Sequence, residues 1–166
     1  MKKCWLKIVI PIVIVLVLIA GIIVIIKRNV IEKTKNVMFY LEDKYYGTSV
    51  FNEINSTELE ELINNRESFA IFVHQPMCST SYEFNKILVQ FAEENKISFY
   101  KISFEEMKET VMYDEVKYYP SFGIFKEGEL VDFLDAESDE DLNRYKDKEE
   151  FGEWFNGYIQ KSIKKK

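Results

Sequence analysis

Cys78 is the residue whose type and position point most directly to chemistry in this chain. It follows an apolar run at residues 69–73 and precedes an amphipathic stretch that starts at Ser79. This pattern predicts a strand followed by a helix, with the thiol at the helix N-terminus. The positive end of a helix dipole favours thiolate and lowers the thiol pKa, so Cys78 is a candidate nucleophile.

Ser81 stands three residues after Cys78, where a dithiol site would have its second cysteine. A second thiolate resolves a mixed disulfide, and a serine hydroxyl cannot do this at neutral pH. The Ser81 hydroxyl could instead hydrogen-bond the Cys78 thiolate and favour it. We therefore predict Cys78 and Ser81 as catalytic residues. The alternative is that Cys78 is a half-buried structural cysteine in a domain without activity.

Metal and cofactor sites are not expected from the remaining polar residues. His74 is the single histidine, and one histidine with one distant cysteine cannot assemble a zinc site, so we interpret it as a packing residue at a strand end. The acidic run at residues 135–141 lacks the glycine and glutamate that an EF-hand loop needs at its sixth and twelfth positions. We interpret residues 138–141 as a helix-capping box instead.

Residues 8–26 form an uncharged and almost wholly aliphatic segment. At about 1.5 Å per residue, a helix of this length reaches roughly 28 Å, close to the thickness of a bilayer core. A signal peptide, the rival interpretation, would have a shorter apolar region and a small-residue cleavage site. We predict a membrane anchor at residues 1–28 and a juxtamembrane linker at residues 29–48, with the membrane bound through residues 8–26.

The charge distribution limits the choice of partners. All 28 acidic residues lie after residue 28, together with 17 of the 22 basic ones, so this part carries about −11. Nucleic acid and anionic lipid are poor partners for such a surface. The lysines on the two sides of the apolar segment nearly balance, so charge alone does not orient it in the membrane.

Periodicity predicts alternating strands and helices in the rest of the chain. Strands are expected at residues 49–54, 69–73, 97–104, 121–125 and 130–134. Helices are expected after residues 55–57, from residue 78 to about 94, at residues 105–114, and along an apolar stripe from Phe151 to Ile159. The order predicts an α/β protein with a sheet that is parallel through its crossovers and ends in an antiparallel hairpin.

Three features together resemble the thioredoxin superfamily over about residues 50–160. They are residues 76–81 at a helix start, the sequence Tyr119-Pro120-Ser121 before a strand, and a glycine hairpin followed by a closing helix. The resemblance implies a thioredoxin-like domain at residues 49–163, with a central mixed sheet flanked by helices. It also implies that Cys78 is the first active-site cysteine and that Pro120 is a cis-proline facing it. Tyr119 and Pro120 would then bind an extended substrate peptide, although a packing role for Tyr119 remains open.

Three positions depart from the pattern of that superfamily. Ser81 replaces the second cysteine, Met77 replaces the usual tryptophan, and Phe72 stands where thioredoxins bury a proton-transferring acid. The resemblance therefore implies a monothiol site of the Cys-x-x-Ser type, in which an external thiol releases the mixed disulfide.

Two functions from different classes follow. The first is a monothiol thiol-disulfide oxidoreductase that acts through Cys78 on a thiol- or disulfide-containing protein or peptide. The second is a non-catalytic thioredoxin-fold module that assists export or maturation of a secreted peptide. The layout is similar to membrane-tethered thioredoxin-like proteins of Gram-positive bacteria, including bacteriocin transport accessory proteins. That likeness implies a single-pass protein of the cell membrane with its domain on the extracytoplasmic side.

Overall fold

A five-stranded mixed sheet organises residues 38–161, the part of the chain that the computed structural model describes. The strands are β1 (Phe51–Glu53), β2 (Phe69–His74), β3 (Phe99–Ser103), β4 (Ser121–Lys126) and β5 (Glu129–Phe133). Their order in the sheet is β1-β3-β2-β4-β5. Strands β1, β3 and β2 are parallel, whereas β4 runs antiparallel to both β2 and β5.

The helices are α1 (Ser56–Asn64), α2 (Ser79–Asn95), α3 (Phe104–Met107) and α4 (Lys148–Asn156), and short 3-10 turns cover Asp43–Tyr45 and Val111–Asp114. Three of these helices begin at side chains that cap their first turn. Asn55 and Glu58 form a reciprocal capping box at α1, Ser103 caps α3, and Asp147 caps α4. The capping oxygens accept hydrogen bonds from amides that have no partner within the helix.

Helices cover both faces of the sheet. Helix α1 connects β1 to β2, and α2 connects β2 back to β3, so the two connections cross the sheet in opposite directions. Because such connections are right-handed, the two helices lie on opposite faces of the sheet. Helix α4 packs beside α2, with the Phe91 ring 5.3 Å from Phe155 and 5.1 Å from Phe151. Phe122 of β4 joins this group at 5.1 Å from Phe151. The core is therefore built from aromatic rings, which make edge-to-face contacts beyond simple area burial.

The sheet confirms the predicted α/β class, with one difference in strand direction. The predicted order treats the segment before β4 as a crossover, yet β3 ends at Ser103 beside His74 and β4 begins at Ser121 beside Val73. The connecting segment thus starts and finishes at the same edge of the sheet, and β4 must run antiparallel to β2. The predicted helix at residues 105–114 is divided into α3 and a 3-10 turn, because the Thr110 side chain caps a new start.

The predicted helix start at residues 138–141 is wrong. Ser138 accepts a hydrogen bond from Glu140, and the buried Asp141 carboxylate accepts one from the Asp135 amide. These side chains therefore close local turns in residues 135–147, and α4 begins later, behind the Asp147 cap.

Residues 38–48, which the sequence analysis assigns to the linker, pack on the domain. Phe39 and Leu41 are buried, and the Phe39 amide donates to the Tyr158 carbonyl at 2.8 Å. Residues 38–48 therefore belong to the same compact unit as the sheet. The predicted anchor at residues 8–26 lies outside the described residues. Within residues 38–161, none of the helices has the length and apolar character to cross a bilayer.

The arrangement is an α/β thioredoxin-like fold. Parallel β1-β3-β2, followed by antiparallel β4 and β5 with helices on both faces, is the layout that the resemblance implies. The Tyr119–Pro120 peptide bond directly before β4 is cis, as the resemblance also predicts.

Candidate functional site

The chain turns tightly between β2 and α2, and this turn places the thiol. The Cys78 amide donates to the Gln75 carbonyl at 3.2 Å, and Met77 takes a left-handed conformation with φ of +62°. The Gln75 amide in turn donates to Ser81 Oγ at 3.1 Å. Cys78 is consequently the N-cap of α2, a helix of 17 residues, and its side chain is partly exposed.

The first turn of α2 favours the thiolate form of Cys78. The Ser81 backbone N–H holds the pKa of the Cys78 thiol below its ordinary value, and partial burial of the thiol opposes this effect. The Ser81 hydroxyl and the N–H and hydroxyl groups of Thr80 lower the pKa further. Sγ makes no fully aligned N-cap hydrogen bond, so these groups act on the sulfur mainly as dipoles aimed at it. The sulfur is thus both accessible and electrostatically activated.

Ser81 lies beside the thiol and is itself buried, with 4% of its surface exposed. Its oxygen accepts the Gln75 hydrogen bond, which leaves its own O–H free to donate to a Cys78 thiolate. The predicted catalytic pair is therefore close in space as well as in sequence. The catalytic roles of Cys78 and Ser81 stay predictions.

Pro120 lies on one side of the α2 N-terminus. It is buried and shares a cleft of about 340 Å³ with Ser79 and Thr80, the residues directly after Cys78. The buried Tyr145 hydroxyl holds this wall in place, because it lies 2.8 Å from both the Pro120 and the Leu134 carbonyl oxygens. Burial raises the pKa of Tyr145, so its phenol stays protonated and donates.

Tyr119 is placed differently from Pro120. Its ring packs against Phe104 with 4.8 Å between centroids, and 39% of its surface is exposed. The ring lines neither the Pro120 cleft nor the cleft of Cys78. A contribution of Tyr119 to peptide binding would therefore come from its backbone, and it stays a prediction.

Cys78 itself opens onto a second cleft of about 460 Å³ on the other side of the α2 N-terminus. Phe72 lines this cleft and is buried. His74 and Lys101 line it as well. His74 Nε2 lies 2.7 Å from Glu53 Oε1, and Lys101 Nζ lies 3.1 Å from Glu53 Oε2. The interpretation of His74 as a packing residue is therefore incomplete, because its ring forms part of the cleft that holds the thiol.

The three polar side chains Glu53, His74 and Lys101, which we call the polar cluster, were not found from the sequence. They come from three strands: Glu53 and His74 are the last residues of β1 and β2, whereas Lys101 is the middle residue of β3. Because the C-terminal ends of parallel strands meet at one edge of a sheet, the positions of Glu53 and His74 were the available signal. Burial alone would raise the pKa of Glu53, but the hydrogen bonds from His74 and Lys101 outweigh burial and hold it below its ordinary value.

Exposed apolar side chains surround the two clefts. Met77 is fully exposed, Tyr82 is 63% exposed, and Leu142 at the rim of the Pro120 cleft is 45% exposed. Such side chains beside a reactive group are suited to contact a protein or peptide partner. In the described part of the chain, no three His, Cys, Asp or Glu side chains are grouped so that they could hold a metal ion.

The structure is similar to solved thioredoxin-fold proteins of low sequence identity. One is described as an oxidoreductase with a thioredoxin fold, with 14% identity and a TM-score of 0.49 over 63% of this chain and 93% of that chain. Thioredoxin O1 from Arabidopsis thaliana has 13% identity and a TM-score of 0.45 over 56% and 91% of the two chains. Mitochondrial thioredoxin 3 from Saccharomyces cerevisiae has 19% identity and a TM-score of 0.45 over 57% and 91%. No protein-family model matches the sequence, and no curated protein sequence matches it.

Proposed function

We propose that this protein is a monothiol thiol-disulfide oxidoreductase that acts through Cys78. The observation that carries the proposal is the partly exposed Cys78 sulfur at the N-cap of α2, where the Ser81 and Thr80 groups lower its pKa. Thiolate is the nucleophilic form of cysteine, so this position supplies what exchange chemistry needs.

The exchange proceeds in two balanced steps. The Cys78 thiolate attacks one sulfur of a substrate disulfide, forming a mixed disulfide and releasing the other substrate sulfur as a thiolate. The thiolate of an external thiol then attacks the substrate sulfur of the mixed disulfide and releases the Cys78 thiolate. Ser81 replaces a resolving cysteine, and the other cysteine of the chain, Cys4, lies outside the described residues. The external thiol is therefore a required co-reactant.

The second candidate is a binding module without exchange activity. The exposed Met77 and Tyr82 at the Cys78 cleft and the exposed Leu142 at the Pro120 cleft favour it, because apolar surface at these clefts can bind a partner without any chemistry. In this function the domain would hold a secreted peptide during export or maturation.

Residues 8–26 motivate the rest of the proposal, a single-pass tether in the cell membrane with the domain on the extracytoplasmic side. Protease applied to intact cells should then remove the domain. Complete protection of the domain, with cleavage after lysis, would place it in the cytoplasm.

Alkylation of Cys78 as a function of pH tests the exchange function. We expect the apparent pKa of the thiol to lie below the ordinary value of about 8.5. The measurement uses the full chain in detergent with Cys4→Ser, so that one thiol reports. A midpoint at or above the ordinary value would contradict an activated nucleophile.

Partner capture separates the two candidates. The wild type should form mixed disulfides that an added thiol releases, and Cys78→Ala should lose these partners. If Cys78→Ala and Cys78→Ser retain the same partners as the wild type, binding rather than exchange is the function.

A further inference from the structure

The polar cluster faces the same cleft as the nucleophile. Phe72 and His74 alternate with Val73 along β2 and so share one face of the sheet. The Phe72 ring lies 5.7 Å from Phe84 of α2, so this is the face that α2 covers. His74 therefore lies on the α2 side at the end of β2, and the turn from Gln75 to Cys78 places the thiol at the same cleft.

The register of the sheet brings Glu53 and Lys101 under the same cleft. Lys101 of β3 pairs with Glu53 on one side and with Phe72 on the other. Phe72 is apolar and buried, so it supplies no proton acceptor beneath the thiol. His74, Tyr82 and Lys101 are the titratable side chains that line this cleft together with Cys78. Of these three side-chain types, imidazole is the one that accepts a proton near neutral pH.

The contact with Glu53 decides which nitrogen of His74 is basic. The lowered pKa of Glu53 keeps its carboxylate ionised at neutral pH, and an ionised carboxylate only accepts hydrogen bonds. The neutral imidazole must therefore carry its proton on Nε2 and keep a lone pair on Nδ1. Among the side chains of residues 38–161, Nδ1 has no hydrogen-bond partner. This nitrogen is available to take a proton.

The Glu53 carboxylate contacts both the His74 ring and the Lys101 ammonium. Glu53 and Lys101 form an ion pair, so together they add no net charge. Moving the Cys78 proton to His74 creates one thiolate and one imidazolium, and the imidazolium then lies against the Glu53 carboxylate. The carboxylates of the neighbouring α3 have other partners, because Glu105 pairs with Lys108 and Glu106 accepts from the Ser56 amide.

We propose that His74, oriented by Glu53, accepts the proton of Cys78 and returns it to the departing thiol during exchange. The Cys78 S–H proton moves to Nδ1, and the resulting thiolate attacks the substrate disulfide. The substrate S–S bond breaks as the new one forms, and the leaving thiolate takes the proton from the imidazolium. Neutral His74 is regenerated without an added oxidant or reductant. The inference rests on the proposed exchange function and adds the proton acceptor to it.

Two substitutions separate this role from a simple effect of charge. His74→Asn should slow alkylation of Cys78 at pH 7 by roughly tenfold, because the thiolate loses its imidazolium partner. Glu53→Gln should also slow it, since the imidazolium loses its carboxylate. In a His74→Asn background, however, Glu53→Gln should leave the rate unchanged or raise it, because it then removes a negative charge and leaves the Lys101 ammonium unpaired. The same effect of Glu53→Gln in both backgrounds would overturn the proposal.

Glu83→Gln is the matched control. It also removes one paired carboxylate, five residues after Cys78 in the chain, but Glu83 lines the Pro120 cleft and pairs with Lys86 at 2.9 Å. We expect the alkylation rate to change by less than about twofold, as is usual for exposed ion pairs. A slowing as large as that of Glu53→Gln would show a general field effect and would contradict the proposal.

The single histidine provides a direct readout of the coupling. In a proton NMR titration of the full chain in detergent micelles, the Cε1–H resonance of His74 should shift at the pH where Cys78 ionises, and this step should vanish in Cys78→Ala. If the step persists in Cys78→Ala, the two groups are uncoupled and the proposal fails. Glu53 is half exposed, so Glu53→Gln and this titration remain decisive even if His74→Asn does not fold.

The outcomes also distinguish failure of the proposed exchange function from failure of the proposed role of His74. An ordinary thiol midpoint in the wild type would end both the exchange function and the role of His74. If the pH midpoint of Cys78 alkylation is lowered in the wild type and neither His74→Asn nor Glu53→Gln changes it, the role of His74 is refuted and the exchange function is not.

Discussion

Ser81→Ala should weaken both the turn before α2 and the thiolate at its N-cap. The substitution removes the oxygen that accepts the Gln75 amide at 3.1 Å, and this oxygen is buried. A buried donor left without an acceptor costs about 1–3 kcal/mol. Because Gln75 is partly exposed, water can replace some of this bond, and we expect the free energy of unfolding to fall by about 1–2 kcal/mol.

The effect on the thiol should be smaller and separable. The Ser81 backbone N–H, which contributes most to lowering the pKa of Cys78, remains in Ser81→Ala, whereas the hydroxyl is lost. One hydrogen bond to a partly solvated sulfur contributes about 0.5 kcal/mol, the lower end of the usual range. The rate of alkylation at pH 7 should therefore fall by about twofold.

Urea unfolding measures the first effect and iodoacetamide alkylation the second. Ser79→Ala is the control, because Ser79 is exposed in the same helical turn. Its unfolding free energy should change by no more than about 0.5 kcal/mol. If Ser81→Ala matches both the wild type and Ser79→Ala in stability and in rate, the Gln75 to Ser81 hydrogen bond does not hold the thiol.

Three further outcomes follow from the same geometry. Tyr145→Phe should lower the free energy of unfolding by about 1–3 kcal/mol in urea titration, because the buried Pro120 carbonyl loses its donor. Leu134 should contribute less to this loss, since its carbonyl keeps the Ser121 hydroxyl at 2.7 Å. Ser81→Cys should allow intramolecular resolution, so trapped mixed disulfides on nonreducing gels should decrease relative to the wild type. Because the pKa of Cys78 is lowered in the folded state, the wild type should gain stability relative to Cys78→Ala as pH rises from the folded-state pKa toward the unfolded value of about 8.5. This gain should be lost as pH falls through the folded-state pKa. Equal slopes of unfolding free energy against pH for the two proteins would contradict this.

The sequence alone determined the features that depend on neighbouring residues. The apolar run before Cys78 and the helical period after it place the thiol at a helix N-terminus, and the structure confirms that placement. The cis Tyr119–Pro120 bond was implied by the resemblance to the thioredoxin superfamily, and the structure confirms it. Side-chain alternation in strands, the helical period and helix caps each involve only a few neighbouring residues, so they can be predicted from the linear sequence.

The tertiary structure decided which distant residues surround that thiol. Glu53, His74 and Lys101 meet because the strand order is β1-β3-β2 and because their registers align, and neither property is encoded in periodicity. The direction of β4 and the packing of residues 38–48 on the sheet also depend on long-range contacts. A local pattern can show that a thiol lies at a helix N-terminus, but the polar side chains around its cleft are set by the pairing of strands far apart in the chain.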